Sequence, residues 1–403
     1  MIGLLTFACS TQPGTDPLVE GPAAAPVSQT LAAPVEPERS TPSPYAVPAG
    51  PDLQRAVAEL ERVVETWGAN SQDGWAIAHA LMARGPDLVL DNGEPAVQWL
   101  FSEFAQVREL DGERLIGFPR ESEGRRVEPH TDLVLKVLTE IGVSPSTMVE
   151  VDGEAFSVAD LWRHSVLTTW MKKNGDASYL GPNDMPWGMQ GIAAWADPSM
   201  TWTAWEGTPM DLDALGRLLS FIVFKESSDQ LNAMQQGQPL VKKGQGLFQY
   251  TCGGAHLVQG ATYVAARGAG GEQALQVART YGALWLWRFP QELALYQDAV
   301  VQHPEKRLVL RAQQLKFVGH WLETMHKLAA MGLWEADAAG QLALAEALGV
   351  LVDTVKDLKA LGALDNLDAI RAENEQLYLD LVGDSAHALR GVSLATGAGT
   401  VRW

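Results

Sequence analysis

Cysteine is nearly absent. Two residues in 403, Cys9 and Cys252, lie in segments of different character, so the chain does not read as a disulfide-stapled fold. No uninterrupted run of 18 or more apolar residues occurs, and no segment reads as a membrane-crossing helix. Basic residues are outnumbered, 30 Lys and Arg against 49 Asp and Glu. The resulting net charge of −19 argues against a nucleic-acid partner, which normally needs a basic face. The short motifs of common chemistry are missing as well: there is no HExxH, no CxxC, no Gly-rich phosphate loop and no GxSxG elbow.

What is present has the composition of an ordinary globular protein, with 46% hydrophobic and 20% charged residues, and is long enough to bury a large core. The first fifty residues are the exception. MIGLLTFACSTQPG carries a short apolar run up to Ala8 and Cys9 and then turns to Ser, Thr, Gln, Pro and Gly. It resembles the end of a bacterial lipoprotein signal peptide, in which the cysteine after a small residue is lipidated and becomes the mature N-terminus. The resemblance implies that residues 1–9 are the signal remnant and lipobox, that a lipid on Cys9 holds the protein to a membrane, and that the location is the bacterial cell envelope. Ser10 in place of Asp leans toward an outer-membrane lipoprotein. No Lys or Arg precedes the apolar run, and Thr6 stands three before Cys9. Residues 10–50, rich in Pro, Ala, Thr and Ser, bury too little apolar surface to offset their ordering entropy, so they read as a disordered linker.

From residue 51 to 403 the pattern is that of a single all-α domain. Leu53, Val57, Leu60 and Val64 recur at helical spacing, and similar periodicity predicts helices over 74–84, 131–141, 158–172, 211–224, 255–266, 272–287, 290–300, 306–331, 336–361 and 366–381. Two stretches share one layout: AHALMARG followed by PDLVLDNGEPAVQWL, and VLKVLTEIG followed by MVEVDGEAFSVADLW. Each is a helix, a short extended excursion with a Gly-containing turn, and another helix. This succession of helical hairpins is similar to an α/α toroid, the architecture of six-hairpin glycosidases, polysaccharide lyases, terpene cyclases and lanthionine-synthetase-type cyclases. An irregular helical bundle is the alternative. The cyclases' two zinc cysteines have only Cys252 to match them here, and the DDxxD and DxDD motifs of terpene cyclases are missing.

GLFQYTCGGAHLVQG, residues 246–260, concentrates the chemistry. With a helix over 255–266, Cys252 and His256 stand four apart at its start, with Gly253 and Gly254 between them. That pair supports either a thiolate nucleophile with an imidazole base or two ligands of a soft divalent metal such as zinc. A toroid's inner helices would bring further polar residues to the same cavity: Trp75 and His79 on one helix, His164 on another, and His320, Glu323 and His326 on a third. The candidate catalytic residues are therefore Cys252 and His256, and the candidate metal ligands are Cys252, His256, His320 and Glu323. His130, His303 and His387 read as helix-end or exposed residues.

Between Tyr179 and Gly207, Trp187, Trp195, Trp202 and Trp205 crowd among helix breakers. The segment reads as an ordered loop. Trp187 and Trp205, with Trp75 and His79, are the candidate binding residues, because indole faces beside carboxylates suit a sugar; the bland alternative is rings plugging one end of the domain. Two functions follow: a lipid-anchored envelope protein whose cavity binds or processes an envelope polysaccharide or peptide with metal assistance, or a non-catalytic glycan- or protein-binding scaffold whose Cys/His pair is structural.

Overall fold

Apolar residues at helical spacing dominate the chain after Gly50, and the computed structural model, which describes residues 31–403 apart from 111, 173, 175, 180 and 251, is all-α accordingly. Cys9 and residues 10–30 lie outside the described residues. The helices are α1 (Pro51–Val63), α2 (Gly74–Arg84), α3 (Ala96–Phe104), α4 (Leu133–Ile141), α5 (Val158–Thr168), α6 (Met185–Trp195), α7 (Leu212–Glu226), α8 (Ser228–Gln235), α9 (Ala255–Ala266), α10 (Gly271–Gln302), α11 (Arg307–Ala330), α12 (Ala338–Ala360), α13 (Leu367–Glu373) and α14 (Glu375–Ala395). Strands are confined to two-stranded antiparallel pairs, such as Met148–Val151 with Glu154–Ser157 and Thr201–Thr203 with Pro209–Asp211. These excursions join α4 to α5 and α6 to α7, and a single bridge between Val89 and Pro95 joins α2 to α3 in the same way.

Six helices pack in a closed circuit: α2 on α4, α4 on α6, α6 on α9, α9 on α11, α11 on α14, and α14 back on α2. Helices α1, α3, α5, α7, α10 and α12 lie against its outside. The most extensive of these contacts, α11 on α14, depends on two glycines. A Cβ on Gly319 would stand 3.0 Å from the backbone of Ala388, and one on Gly391 would stand 3.0 Å from the Glu323 nitrogen. The two backbones therefore approach as closely as hydrogen-sized side chains allow.

Residues 31–50 do not behave as the linker that their composition predicts. Ser40 and Thr41 pair with Arg402 and Val401, Val35 N–H donates to the Trp195 carbonyl, Val47 N–H donates to the Ala395 carbonyl, and the Ser43 hydroxyl lies 2.7 Å from His326 Nδ1. Glu36 accepts from Ser144 and Arg402. Partners from the domain, rather than apolar burial within the segment, satisfy this backbone, and composition does not register them. All of these partners lie at the C-terminal ends of α4, α6, α11 and α14, so the segment and the C-terminal tail close that end of the circuit.

The tryptophan-rich segment also differs from its reading as a loop, since α6 occupies its centre. Trp187, Trp195 and Trp202 are buried, and only Trp205, on the hairpin after α6, is substantially exposed. Pro186 falls in the first turn of α6, where a missing N–H costs nothing, and Gly188 and Gly191 let Asp132 and Leu135 of the α4 segment approach. Helix α12 has the length and mean hydropathy of a membrane span, but it packs against α1 and α11.

The α11–α14 contact is directly testable. Gly391→Leu is expected to destabilise the protein by about 3 kcal/mol through overpacking, read as a lower urea midpoint. An unchanged midpoint would mean that the two helices do not approach this closely.

Candidate metal centre

The turn ahead of α9 needs glycine twice. Gly253 has φ 61° and Gly254 φ 82°, and a Cβ on Gly254 would collide with Leu247. Arg288, fully buried on α10, donates to the Gly253 carbonyl at 3.1 Å and is balanced by Glu292 at 2.9 Å, which also accepts from Lys242. This pinned turn sets where α9 starts and puts His256 at its second position.

His256 meets two further imidazoles. His320 comes from the middle of α11 and His387 from the middle of α14. His256 Nε2 lies 3.0 Å from His320 Nε2 and 3.3 Å from His387 Nε2, and the His320 and His387 rings are 3.9 Å apart between centroids. His320 Nδ1 is 2.8 Å from the Lys316 carbonyl, and His387 Nδ1 is 2.7 Å from the Glu323 carboxylate. Both acceptors require N–H at Nδ1, so these partners assign the tautomer, and both Nε2 atoms carry lone pairs. Among the described residues, these three histidines are the group whose ligand atoms could share one ion.

Behind His387 stands a buried chain of charge. Glu323 accepts from Lys327 at 2.7 Å, Lys327 donates to Glu140 at 2.6 Å, and Glu140 is 3.1 Å from Lys136. Gln190 donates to Glu140, and Gln259 bridges Lys327 and Thr324. Burial alone would raise both carboxyls, but the Lys327 ammonium and His387 hold Glu323 well below the usual range, and Lys136 and Lys327 hold Glu140 down to about 2. Burial, reinforced by the neighbouring imidazoles, pushes His256 and His320 well below the ordinary histidine value; His387 is lowered by burial against the opposing pull of Glu323. All three are thereby kept neutral, the form in which histidine binds a metal.

The other residues singled out in the sequence fall as follows. His79 on α2 is buried, lies tilted against Trp75 at 4.2 Å and faces His387 edge-on at 5.6 Å. Its Nδ1 lies 2.8 Å from the Trp75 carbonyl. Trp187 abuts His256 at 4.4 Å, with His130 stacked on it at 5.2 Å. Glu323 orients His387 from behind instead of joining the three imidazoles. Cys252 precedes α9 in the turn, so helical periodicity does not carry its side chain toward His256, and it is outside the three-imidazole group. His326 turns away to Ser43, and His164 packs on Gly117. Trp205 is exposed on its hairpin.

His387 is the residue that the sequence reading misplaced. It is buried in the middle of a helix that runs to Ala395, whereas the periodicity predicts an end at Leu381. Gly383 and Gly391, beyond that predicted end, serve close packing, on Trp75 and on α11. The usable signal was the pattern Asp384, His387, Arg390, three polar residues at helical spacing among small apolar ones.

The histidines make stability depend on pH. Burial lowers His79 from 6.5 to about 3, so the unfolded chain binds its proton below about pH 6.5 and the folded chain does not. The contribution is complete above that pH and is lost on acidification, amounting to about 2 kcal/mol at pH 5 for this residue alone. Chemical denaturation of the wild type and His79→Gln at pH 8 and pH 5 is expected to show a smaller acid loss in the variant; equal losses would refute the assignment.

No protein-family model, curated protein or solved structure matches this chain.

Proposed function

We propose that the protein is a metal-dependent enzyme, with zinc as the ion that suits its donors, held by His256, His320 and His387 at the heart of an α/α-toroid-like ring. The observation that carries the reading is the convergence of three Nε2 atoms, two of which have no proton. His256 can supply one N–H at most, so at least one of the two lone pairs aimed at it, from His320 or His387, meets no proton. A cation resolves that conflict. A tetrahedral centre with Zn–N distances of about 2.0–2.1 Å sets ligand nitrogens about 3.3 Å apart, and two of the contacts here are 3.0 and 3.3 Å. The Glu323–His387 pair is the carboxylate–histidine arrangement that fixes a ligand's tautomer and raises its basicity.

Three protein ligands leave one position open, which is the pattern of catalytic zinc, where the ion supplies Lewis acidity and activates water. His256 is half-buried and the other two are buried, so access lies on the His256 side. The closed circuit of six helices supports the toroid reading, because inward polar residues of α2, α4, α6, α9, α11 and α14 meet along its axis. The glycan reading loses ground, since Trp187 packs on His256 from within the core and Trp205 is the exposed ring. A polymer or peptide of the bacterial envelope remains the proposed substrate source, resting on the lipoprotein-like Cys9 segment, with the membrane as the attachment.

Elemental analysis of protein purified without an affinity metal is expected to give close to one equivalent of a first-row transition metal. His387→Ala should abolish it, Glu323→Gln should weaken affinity about ten- to a hundredfold, and Cys252→Ala should retain it. Metal-free wild type that takes up no added zinc would end this reading.

A further inference from the structure

The three imidazoles of the centre are not held alike. His320 and His387 sit in mid-helix, and each has its Nδ1 anchored, to the Lys316 carbonyl and to Glu323 respectively. His256 lies in the first turn of α9 and is half-buried, and its Nδ1 makes no hydrogen bond among the described residues. Its place is therefore set by Trp187 against its ring and by the turn that starts its helix. Such a ligand is only as well placed as the backbone that carries it.

That backbone is fastened to one stripe of α10. Arg288, Glu292 and Tyr296 recur there every four residues, with Gln291 beside them. Near the start of the segment 236–254, which joins α8 to α9, Leu240 N–H donates to Gln291 at 2.7 Å, and Lys242 donates to Glu292 and to the Tyr296 hydroxyl, both at 2.8 Å. At its end Arg288 donates to the Gly253 carbonyl, three residues before His256. Between these points the Phe248 ring lies 4.8 Å from the Arg288 guanidinium, which Trp285 of α10 flanks at 4.4 Å. Glu292 serves both ends of the segment, because its other oxygen accepts from Arg288 at 2.9 Å.

Arg288 and Glu292 are 0% and 1% exposed, whereas Lys242, at 34%, keeps part of its charge in water. A fully buried ion pair gains little over apolar side chains of equal volume, so stability does not account for it. What the pair adds is direction. One nitrogen of the planar fork reaches the carboxylate and the other reaches the carbonyl.

We infer that Arg288, held by Glu292, is a positioning residue of the metal centre: it fixes the Gly253 carbonyl, and with it the start of α9 and the reach of His256 toward His320 and His387. The inference rests on the metal reading above and needs no ligand beyond the ion. It makes His256 the adjustable member of the three, and the attachment of the segment 236–254 to α10 a determinant of metal affinity.

The test uses the full chain, wild type and Arg288→Lys, titrated with zinc against a chromophoric chelator and, separately, saturated with cobalt(II) for its visible absorption. Lysine keeps a charge beside Glu292 but lacks the fork that reaches both acceptors. Arg288→Lys is expected to weaken zinc binding about ten- to a hundredfold, as loss of a supporting partner does, and to change the cobalt absorption as one nitrogen leaves its place. Its zinc affinity should not fall below that of His256→Ala, which loses the ligand outright. Unchanged affinity in folded Arg288→Lys would overturn the inference, and so would weaker affinity with the wild-type spectrum, the mark of general loosening. A wild type that binds neither ion would overturn both the inference and the metal reading. Should Arg288→Lys not fold, Glu292→Gln, which frees Arg288 from its carboxylate, is read in the same two ways.

Discussion

The closeness of α11 and α14 is the constraint on which the centre depends. His320 and His387 come within 3.9 Å, ring to ring, because Gly319 and Gly391 remove the side chains that would hold these helices apart. Glycine in a helix costs about 1 kcal/mol relative to alanine through lost backbone entropy. At two positions of one interface that cost is offset by packing, since no larger residue allows this approach. The same contact carries Glu323 against His387, so one helix pair supplies two of the proposed ligands and the carboxylate that orients one of them.

Burying four charges beside the histidines requires a second constraint. Each member of the chain has more than one partner: Glu140 meets Lys136, Lys327 and Gln190, and Glu323 meets Lys327 and His387. Such a network adds little stability over an apolar core, because desolvation consumes most of the attraction. What it fixes is geometry. Glu140 comes from α4 and Lys327 from α11, on opposite sides of the circuit, so the network sets their separation and, through Glu323, the tautomer of His387. Replacing it with apolar side chains of equal volume would keep the helices packed but leave the imidazole free to turn.

Much of this was legible in the sequence. The limits of α9 and α2 follow from apolar periodicity and flanking glycines, and His256, His320, His79 and Glu323 stand out as polar residues on apolar helices. The failures share a cause: residues that break isolated helices are used here for packing. Gly383 and Gly391 hid the second half of α14 and with it His387. Pro186, Gly188 and Gly191 hid α6. Pro290 suggested a break in α10, yet the helix runs through it from Gly271 to Gln302. Residues 31–50 were misread for the converse reason, because their order comes from partners hundreds of positions away, such as Trp195 and Arg402. Local propensity cannot register a contact of that kind.

The two ends of the circuit differ, and the difference bears on how anything reaches the histidines. At the C-terminal ends of α6 and α14 the strap of residues 31–50 donates to the Trp195 and Ala395 carbonyls, and it pairs with the tail at Val401 and Arg402 across that end. At the opposite end lie the first turns of α9 and α6, with His256 and Trp187 on them. Asp73, Asp132 and Asp184 occupy the N-cap positions of α2, α4 and α6 on that side, where carboxylates face the positive helix ends. The strap therefore bears on the histidines without touching them, by covering the C-terminal end of the circuit and leaving the end that carries His256 uncovered by it.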